Sequence, residues 1–135
     1  MKYWLIKSEP FKYPWNQLVS DGKTLWEGVR NYTARIYLNS MEVGDKALFY
    51  HSNEGKEIVG IATVTGTSQP DPTDDTGKWV VVEITPDRPL PSPVTLNTMR
   101  EHPVLSGMDL FRLNRLSISI VKPEEYNIIL KLGGI

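Results

Sequence analysis

The run from Lys46 to Thr67 constrains the fold more than any other part of this chain. Lys46 to Ser52 alternates Ala47, Phe49 and His51 with Leu48, Tyr50 and Ser52. Ile58 to Thr67 sets Val59, Ile61, Thr63 and Thr65 against Ile58, Gly60, Ala62 and Val64. Period-two alternation of β-formers predicts two strands, and Asn53-Glu54-Gly55-Lys56 between them reads as a hairpin connection. Gly60 weakens the second strand, so it marks a bulge, a sharp bend or a close backbone approach. Small barrels need such bends to close.

The flanking segments add strands and short helices. Tyr3 to Ser8 predicts a strand with Trp4, Ile6 and Ser8 on one face, ended by Glu9-Pro10 because proline cannot donate to a ladder. Pro14 suits the start of a helix with Trp15, Leu18 and Val19 inward, closed by Asp21-Gly22. A second helix is expected from about Asn31 to Met41, over Ala34, Tyr37, Leu38 and Met41. Residues 68 to 77 read as a mobile polar loop whose aspartates lack the spacing of a calcium loop. Trp79 to Thr85 predicts a strand, and Pro86 to Pro93, with four prolines, an extended irregular segment. Thr95 is a plausible N-cap for a helix over Leu96, Met99 and Arg100 that stops near His102-Pro103. Leu116 to Ile120 predicts the last strand. Pro123 opens a terminal helix with Tyr126, Ile129 and Leu130 inward, ended by Gly133-Gly134. About five or six strands and a few short helices, without βαβ regularity, imply an α+β domain over residues 1–135. Its sheet is expected to be strongly bent or to form a small mixed or antiparallel barrel, with helices across the ends.

Composition narrows the chemistry. The chain has no cysteine and two histidines, which argues against a zinc site, and neither a metal nor a cofactor is expected. No apolar run approaches the ~20 residues that span a bilayer, and Tyr3-Trp4-Leu5-Ile6-Lys7 enters a strand without a cleavable signal. No membrane partner is expected, and the cytoplasm is the expected compartment. Net charge is −1, without a lysine or arginine block, which disfavours a protein that grips duplex mainly by counterion release. The reading of one nucleotide, or a local basic patch, remains compatible with it.

Trp26-Glu27-Gly28-Val29-Arg30-Asn31-Tyr32-Thr33-Ala34-Arg35 gathers an indole, a phenol, a carboxamide and two guanidinium groups beside a glycine. Such groups hold a flat polar ring, by stacking on its faces and hydrogen bonding to its edges. Core aromatics with solvated arginines fit the same residues, and local pattern does not separate the two readings. Lys7-Ser8-Glu9-Pro10, Tyr50-His51-Ser52-Asn53 and Arg112 to Ser117 also concentrate polar groups at strand ends, where sites usually occur. Ser8, His51 and Glu9 are the residue types of a hydrolase, but no nucleophile elbow surrounds either Ser8 or Ser52. Phosphate-binding glycine loops and dinucleotide fingerprints are absent from the sequence.

Trp4-Leu5-Ile6-Lys7-Ser8-Glu9-Pro10, the Trp26 to Arg35 stretch and Phe49-Tyr50-His51-Ser52-Asn53 resemble the signature blocks of the EVE domain. Arg115-Leu116-Ser117-Ile118 with Pro123-Glu124-Glu125-Tyr126 is similar to that family's closing segment. The blocks stand in family order and span nearly the whole chain. The resemblance implies a PUA-like barrel related to the YTH, ASCH and SRA groups. It also implies a non-catalytic reader of DNA or RNA with a modified base, a modified cytosine being the leading candidate. A nuclease or other effector protein is an implied partner, and the chain is expected to be a monomer. On this reading Trp26 stacks on the base, Tyr32 or Tyr50 forms a second wall, and Ser8, Glu9, Asn31, His51 and Ser52 complete the base pocket. Lys7, Arg30 and Arg35 would meet phosphates. A nucleoside- or metabolite-sensing domain and a Ser8/His51/Glu9 hydrolase are the alternatives.

Overall fold

The alternating runs pair into one mixed sheet. In the computed structural model, which describes residues 1–135, six strands lie in the order β2-β5-β4-β3-β1-β6. They are β1 (Tyr3–Ser8), β2 (Thr24–Leu25), β3 (Lys46–His51), β4 (Glu57–Pro70), β5 (Val80–Thr95) and β6 (Ile118–Val121). Only β1 and β3 pair in parallel; the other neighbours are antiparallel. The helices are α1 (Trp15–Asp21), α2 (Tyr32–Ser40), α3 (Leu96–Glu101), α4 (Asp109–Arg112) and α5 (Pro123–Leu132), with a 3₁₀ turn at Leu105–Gly107. The fold class is α+β, as the mixed order of elements predicts. The sheet, however, is not a closed barrel: β2 and β6 are its two open edges.

Both faces of the sheet are covered. One core layer joins Trp4, Ile6, Ala47, Phe49, Ala62 and Val64 to Trp15 and Leu18 of α1 and Ala34 and Leu38 of α2. The opposite layer joins Leu5, Leu48, Ile58, Ile61 and Val121 to Met99 of α3, Leu105, Leu110 of α4, and Tyr126 and Ile129 of α5. At about 25 cal/mol per Å² of apolar surface, two such layers supply the main driving force for folding. Met41 is buried as the pattern predicts, whereas Val19, expected inward, is exposed beside its buried neighbour Leu18.

Gly60 carries the bend. The β3–β4 register shifts across Phe49/Tyr50, and the β4–β5 register shifts between Ile58 and Gly60. The expected phase of β4 is therefore broken: Ile58 and Ile61 pack in one layer, while Ala62 and Val64 pack in the other. A Cβ on Gly60 would lie 2.6 Å from Trp15 ring atoms, so the indole occupies the space a side chain would need.

The proline-rich segment also departs from expectation, because β5 runs through it to Thr95. Pro86 and Pro89 pair with Ala62 and Gly60 beside register shifts, where a missing N–H costs little. Gly60↔Pro89 is followed by Ile58↔Val94, which leaves residues 90–93 outside the ladder. Thr95 caps α3 as expected, accepting from the Thr98 N–H at 3.2 Å.

Candidate functional site

The strands end beside a cleft of about 540 Å³ built from three chain segments. Lys7, Ser8 and Glu9 at the end of β1, with Lys12 and Tyr13 beyond it, form one side. Thr24 and Leu25 of β2, followed by Trp26 to Arg30, form the other, and Ser117 before β6 adds a hydroxyl. The size falls within the usual range for a small-ligand site.

Trp26 is held at both ends of its residue. Its backbone N–H donates to the Val82 carbonyl at 2.9 Å, extending the short β2–β5 pairing. Its ring stands edge-on to Tyr13 at 5.9 Å and to Phe49 at 5.7 Å, leaving it half-buried between core and cleft. Tyr13 is thus a second aromatic wall, which the sequence reading missed; it follows Pro10 in a loop without periodicity to single it out.

The lip beyond Trp26 is fixed by Asp71, whose side chain is 0% exposed. Its carboxylate accepts from the Gly28 N–H at 2.9 Å, Arg30 Nη1 at 3.0 Å, the Thr73 N–H at 2.7 Å and Thr73 Oγ1 at 2.6 Å. Burial pushes the Asp71 carboxyl up, but these donors outweigh it and hold it well below the usual carboxylate range. Gly28 sits at φ +79°, a left-handed conformation that favours glycine. The rest of the loop, read as a mobile connection, is also built. Residues 68–70 belong to β4, and Asp74 accepts from the Thr76 and Trp79 N–H groups, each at 3.0 Å.

Lys7 to Pro10, Trp26 to Arg35 and Tyr50 to Asn53 were expected to form one pocket, and the structure distributes them. Lys7, Ser8, Glu9, Trp26 and Arg30 line the cleft. Asn31 instead caps α2, its side chain accepting from the Ala34 N–H at 3.0 Å. Tyr32 is 61% exposed and lies against Trp79 at 5.2 Å, with the Arg35 guanidinium 5.0 Å from its ring. Arg35 also donates to the Lys78 carbonyl at 3.0 Å, so it ties α2 to the loop before β5. Tyr50 and Ser52 line a neighbouring cleft of about 390 Å³, which shares Lys7 with the first. His51 turns away from both, its Nε2 accepting from the Trp15 N–H at 3.1 Å.

This arrangement bears on the hydrolase reading. Ser8 and His51 are paired neighbours across β1 and β3, yet Ser8 Oγ donates to the Tyr13 carbonyl at 2.5 Å. The basic nitrogen of His51 is already used by Trp15, so no nucleophile–base hydrogen bond links the two. Glu9 holds the hairpin turn, accepting from Asn53 Nδ2 at 3.0 Å, and lies 3.4 Å from Lys12 Nζ. Lys7 Nζ donates to the Asn114 carbonyl at 2.8 Å, and burial lowers its pKa. The cleft therefore combines aromatic walls with both cationic donors and carboxylate acceptors. It can stack a flat ring and satisfy a mixed donor–acceptor edge.

The sequence and the fold have relatives among known proteins. The EVE domain model matches residues 2–132. Thymocyte nuclear protein 1 of Gallus gallus is 32% identical, the match covering 96% of this chain and 68% of that protein. The NMR structure of Rpa0253 from Rhodopseudomonas palustris is 47% identical, with a TM-score of 0.95 over 99% of this chain and 94% of its own. The crystal structure of human THYN1 protein in complex with 5-methylcytosine-containing DNA is 28% identical, with a TM-score of 0.92 over 100% of this chain and 99% of its own.

Proposed function

This chain belongs to the EVE domain family, and on that premise we propose that it is a non-catalytic reader that takes one modified base of DNA or RNA into the cleft beside Trp26. The observation that carries the reading is the cleft lining itself: Trp26 for a ring face with Tyr13 as the adjoining aromatic wall, and Lys7, Ser117, Glu9 and Glu27 for the edges. A cytosine-type edge presents an amino donor beside ring acceptors, so it calls for a carboxylate and a cationic or hydroxyl donor together. The 5-methylcytosine DNA bound by human THYN1 protein, whose fold covers all of this chain, supports a modified cytosine as the base.

The base leaves its stack at a cost of a few kcal/mol and regains it on the aromatic wall. In this scheme Trp26 is the stacking platform and Tyr13, edge-on to it at 5.9 Å, is the adjoining wall. Glu9 or Glu27 accepts from the exocyclic amine, while Lys7 and Ser117 donate to the ring. Arg30 acts mainly as a brace through Asp71, and Asn31 through its cap on α2. With a net charge of −1, the phosphate footprint is small, and a salt titration should report about one to three contacts.

Base–aromatic stacking is worth about 1–3 kcal/mol, so Trp26→Ala should weaken binding of a 5-methylcytosine oligonucleotide about 5- to 150-fold. Unchanged affinity in a folded Trp26→Ala protein would remove Trp26 from the site. A free-nucleoside sensor is the competing reading, favoured by the size of the cleft. It would bind 5-methyl-2′-deoxycytidine as tightly as the oligonucleotide and show little salt dependence.

A further inference from the structure

The neighbouring cleft has an electrostatic character that the chain as a whole does not share. The protein carries 15 basic and 16 acidic side chains. Yet the cleft of about 390 Å³ is lined by Lys7 of β1, Lys56 of the β3–β4 connection and Arg100 of α3, with no carboxylate among its lining residues. The four ion pairs of the chain are Lys12–Glu9, Arg30–Asp71, Lys46–Asp87 and Arg112–Asp109, so all three of these cations are uncompensated. Lys7 Nζ has a carbonyl partner, and Arg100 donates only to Asn97 Oδ1 at a long 3.3 Å while standing 5.7 Å from the Phe111 ring. Three like charges brought by separate elements to one concave, partly apolar place repel one another unless an anion sits between them. Ser52 supplies a hydroxyl donor at the same place, and Lys56 is held there by a left-handed backbone, φ +46°.

We propose that this second cleft is a phosphate seat, in which Lys7, Lys56, Arg100 and Ser52 hold one phosphate group. Lys7 lines both clefts, so the phosphate lies next to whatever occupies the first. Resting on the reader function above, the phosphate belongs to the strand whose base enters the cleft beside Trp26. Removal of solvent around Lys7 weakens its ammonium form when the seat is empty, and a bound anion restores it. Phosphate contacts position a strand but carry no sequence information, so this seat adds affinity without adding base preference.

The test uses the full chain and its Lys56→Gln, Arg100→Gln double variant, both positions being exposed. Binding of 5-methylcytosine and cytosine oligonucleotides is followed across a salt series, with 5-methyl-2′-deoxycytidine and inorganic phosphate titrated separately by NMR. The double variant should weaken both oligonucleotides by the same factor, lower the salt slope by about one, for the single phosphate it no longer holds, and leave nucleoside binding unchanged. A seat for free phosphate instead shows shifts with inorganic phosphate that the double variant loses while oligonucleotide affinity stays constant, which overturns the strand assignment. No change with either probe overturns the seat altogether. A wild-type protein that binds phosphate, with the double variant losing that binding, but never prefers the modified base refutes the reader function and leaves the seat standing.

Discussion

Asp71→Asn is the substitution that best separates a braced cleft from a fortuitous one. The asparagine keeps the shape but loses the charge and turns one acceptor oxygen into a donor, facing the Gly28 and Thr73 N–H groups and the Arg30 guanidinium, which cannot accept. The ion pair with Arg30 is partly screened, since the arginine side chain is 39% exposed, and is worth about 1 kcal/mol or less. The backbone N–H groups of Gly28 and Thr73 lose a charged acceptor; both residues are exposed and can rehydrate, so about 1 kcal/mol each is a fair magnitude. The sum is about 2–3 kcal/mol, on the order of 10 °C in melting temperature for a domain of this size. Circular dichroism melts of wild type, Asp71→Asn and the exposed control Asp75→Asn measure it. Oligonucleotide affinity should fall with Asp71→Asn, because Gly28 and Arg30 form the lip of the cleft. The sign of the pH dependence follows from the lowered carboxyl pKa: the contribution is complete above the unfolded value near 3.9 and is lost as pH falls toward the folded one. Wild type should therefore lose more stability than Asp71→Asn on acidification below about pH 4. An Asp71→Asn protein within 0.5 kcal/mol of wild type, or an Asp75→Asn protein equally damaged, would refute the clamp.

Two further perturbations address the framework. Gly60→Ala sets a methyl against the Trp15 ring and should cost about 1–3 kcal/mol, with a change in Trp15 packing visible by NMR; an unperturbed melt would contradict the close approach. His51 has its pKa lowered by burial, and its neutral Nε2 accepts from the Trp15 N–H, so its contribution is complete above about pH 6.5 and declines as pH falls toward the folded value. Stability measured between about pH 7 and 5 should fall in wild type and stay flatter in His51→Gln; identical slopes would show that protonation of His51 is not what the fold resists.

The elements readable from the chain were those decided within a few residues. Alternation placed Trp4, Ile6 and Leu5 on opposite faces of β1, and Thr95 and Pro123 marked helix starts through caps and fixed φ. What was missed depends on partners far along the chain. Asp71 looks like one aspartate among three in a polar loop until Gly28 and Arg30, some forty positions away, meet it. Pro86 and Pro89 look like breakers, but they fall where bulges opposite Gly60 and Ala62 need no N–H. A bulge, a bend or a close approach was expected at Gly60; the inversion of the inward face after Ile58 was not, because periodicity cannot report a change of phase until the partner strand is known. The same bend suggested closure, yet β2 and β6 remain unpaired edges of an open sheet covered on both faces. For the site, Lys7 to Glu9 and Trp26 to Arg30 were brought together, while Asn31 and His51 were drawn into caps and braces that satisfy backbone N–H groups.

The central claim is that the cleft reads a modified base. Equilibrium binding of matched oligonucleotides, single- and double-stranded, DNA and RNA, with 5-methylcytosine or cytosine at one position, tests it most directly. The account predicts tighter binding of the modified oligonucleotide in at least one of these forms, with the preference lost in Trp26→Ala. Equal affinity for modified and unmodified oligonucleotides in every form, or a preference that survives Trp26→Ala, would contradict it.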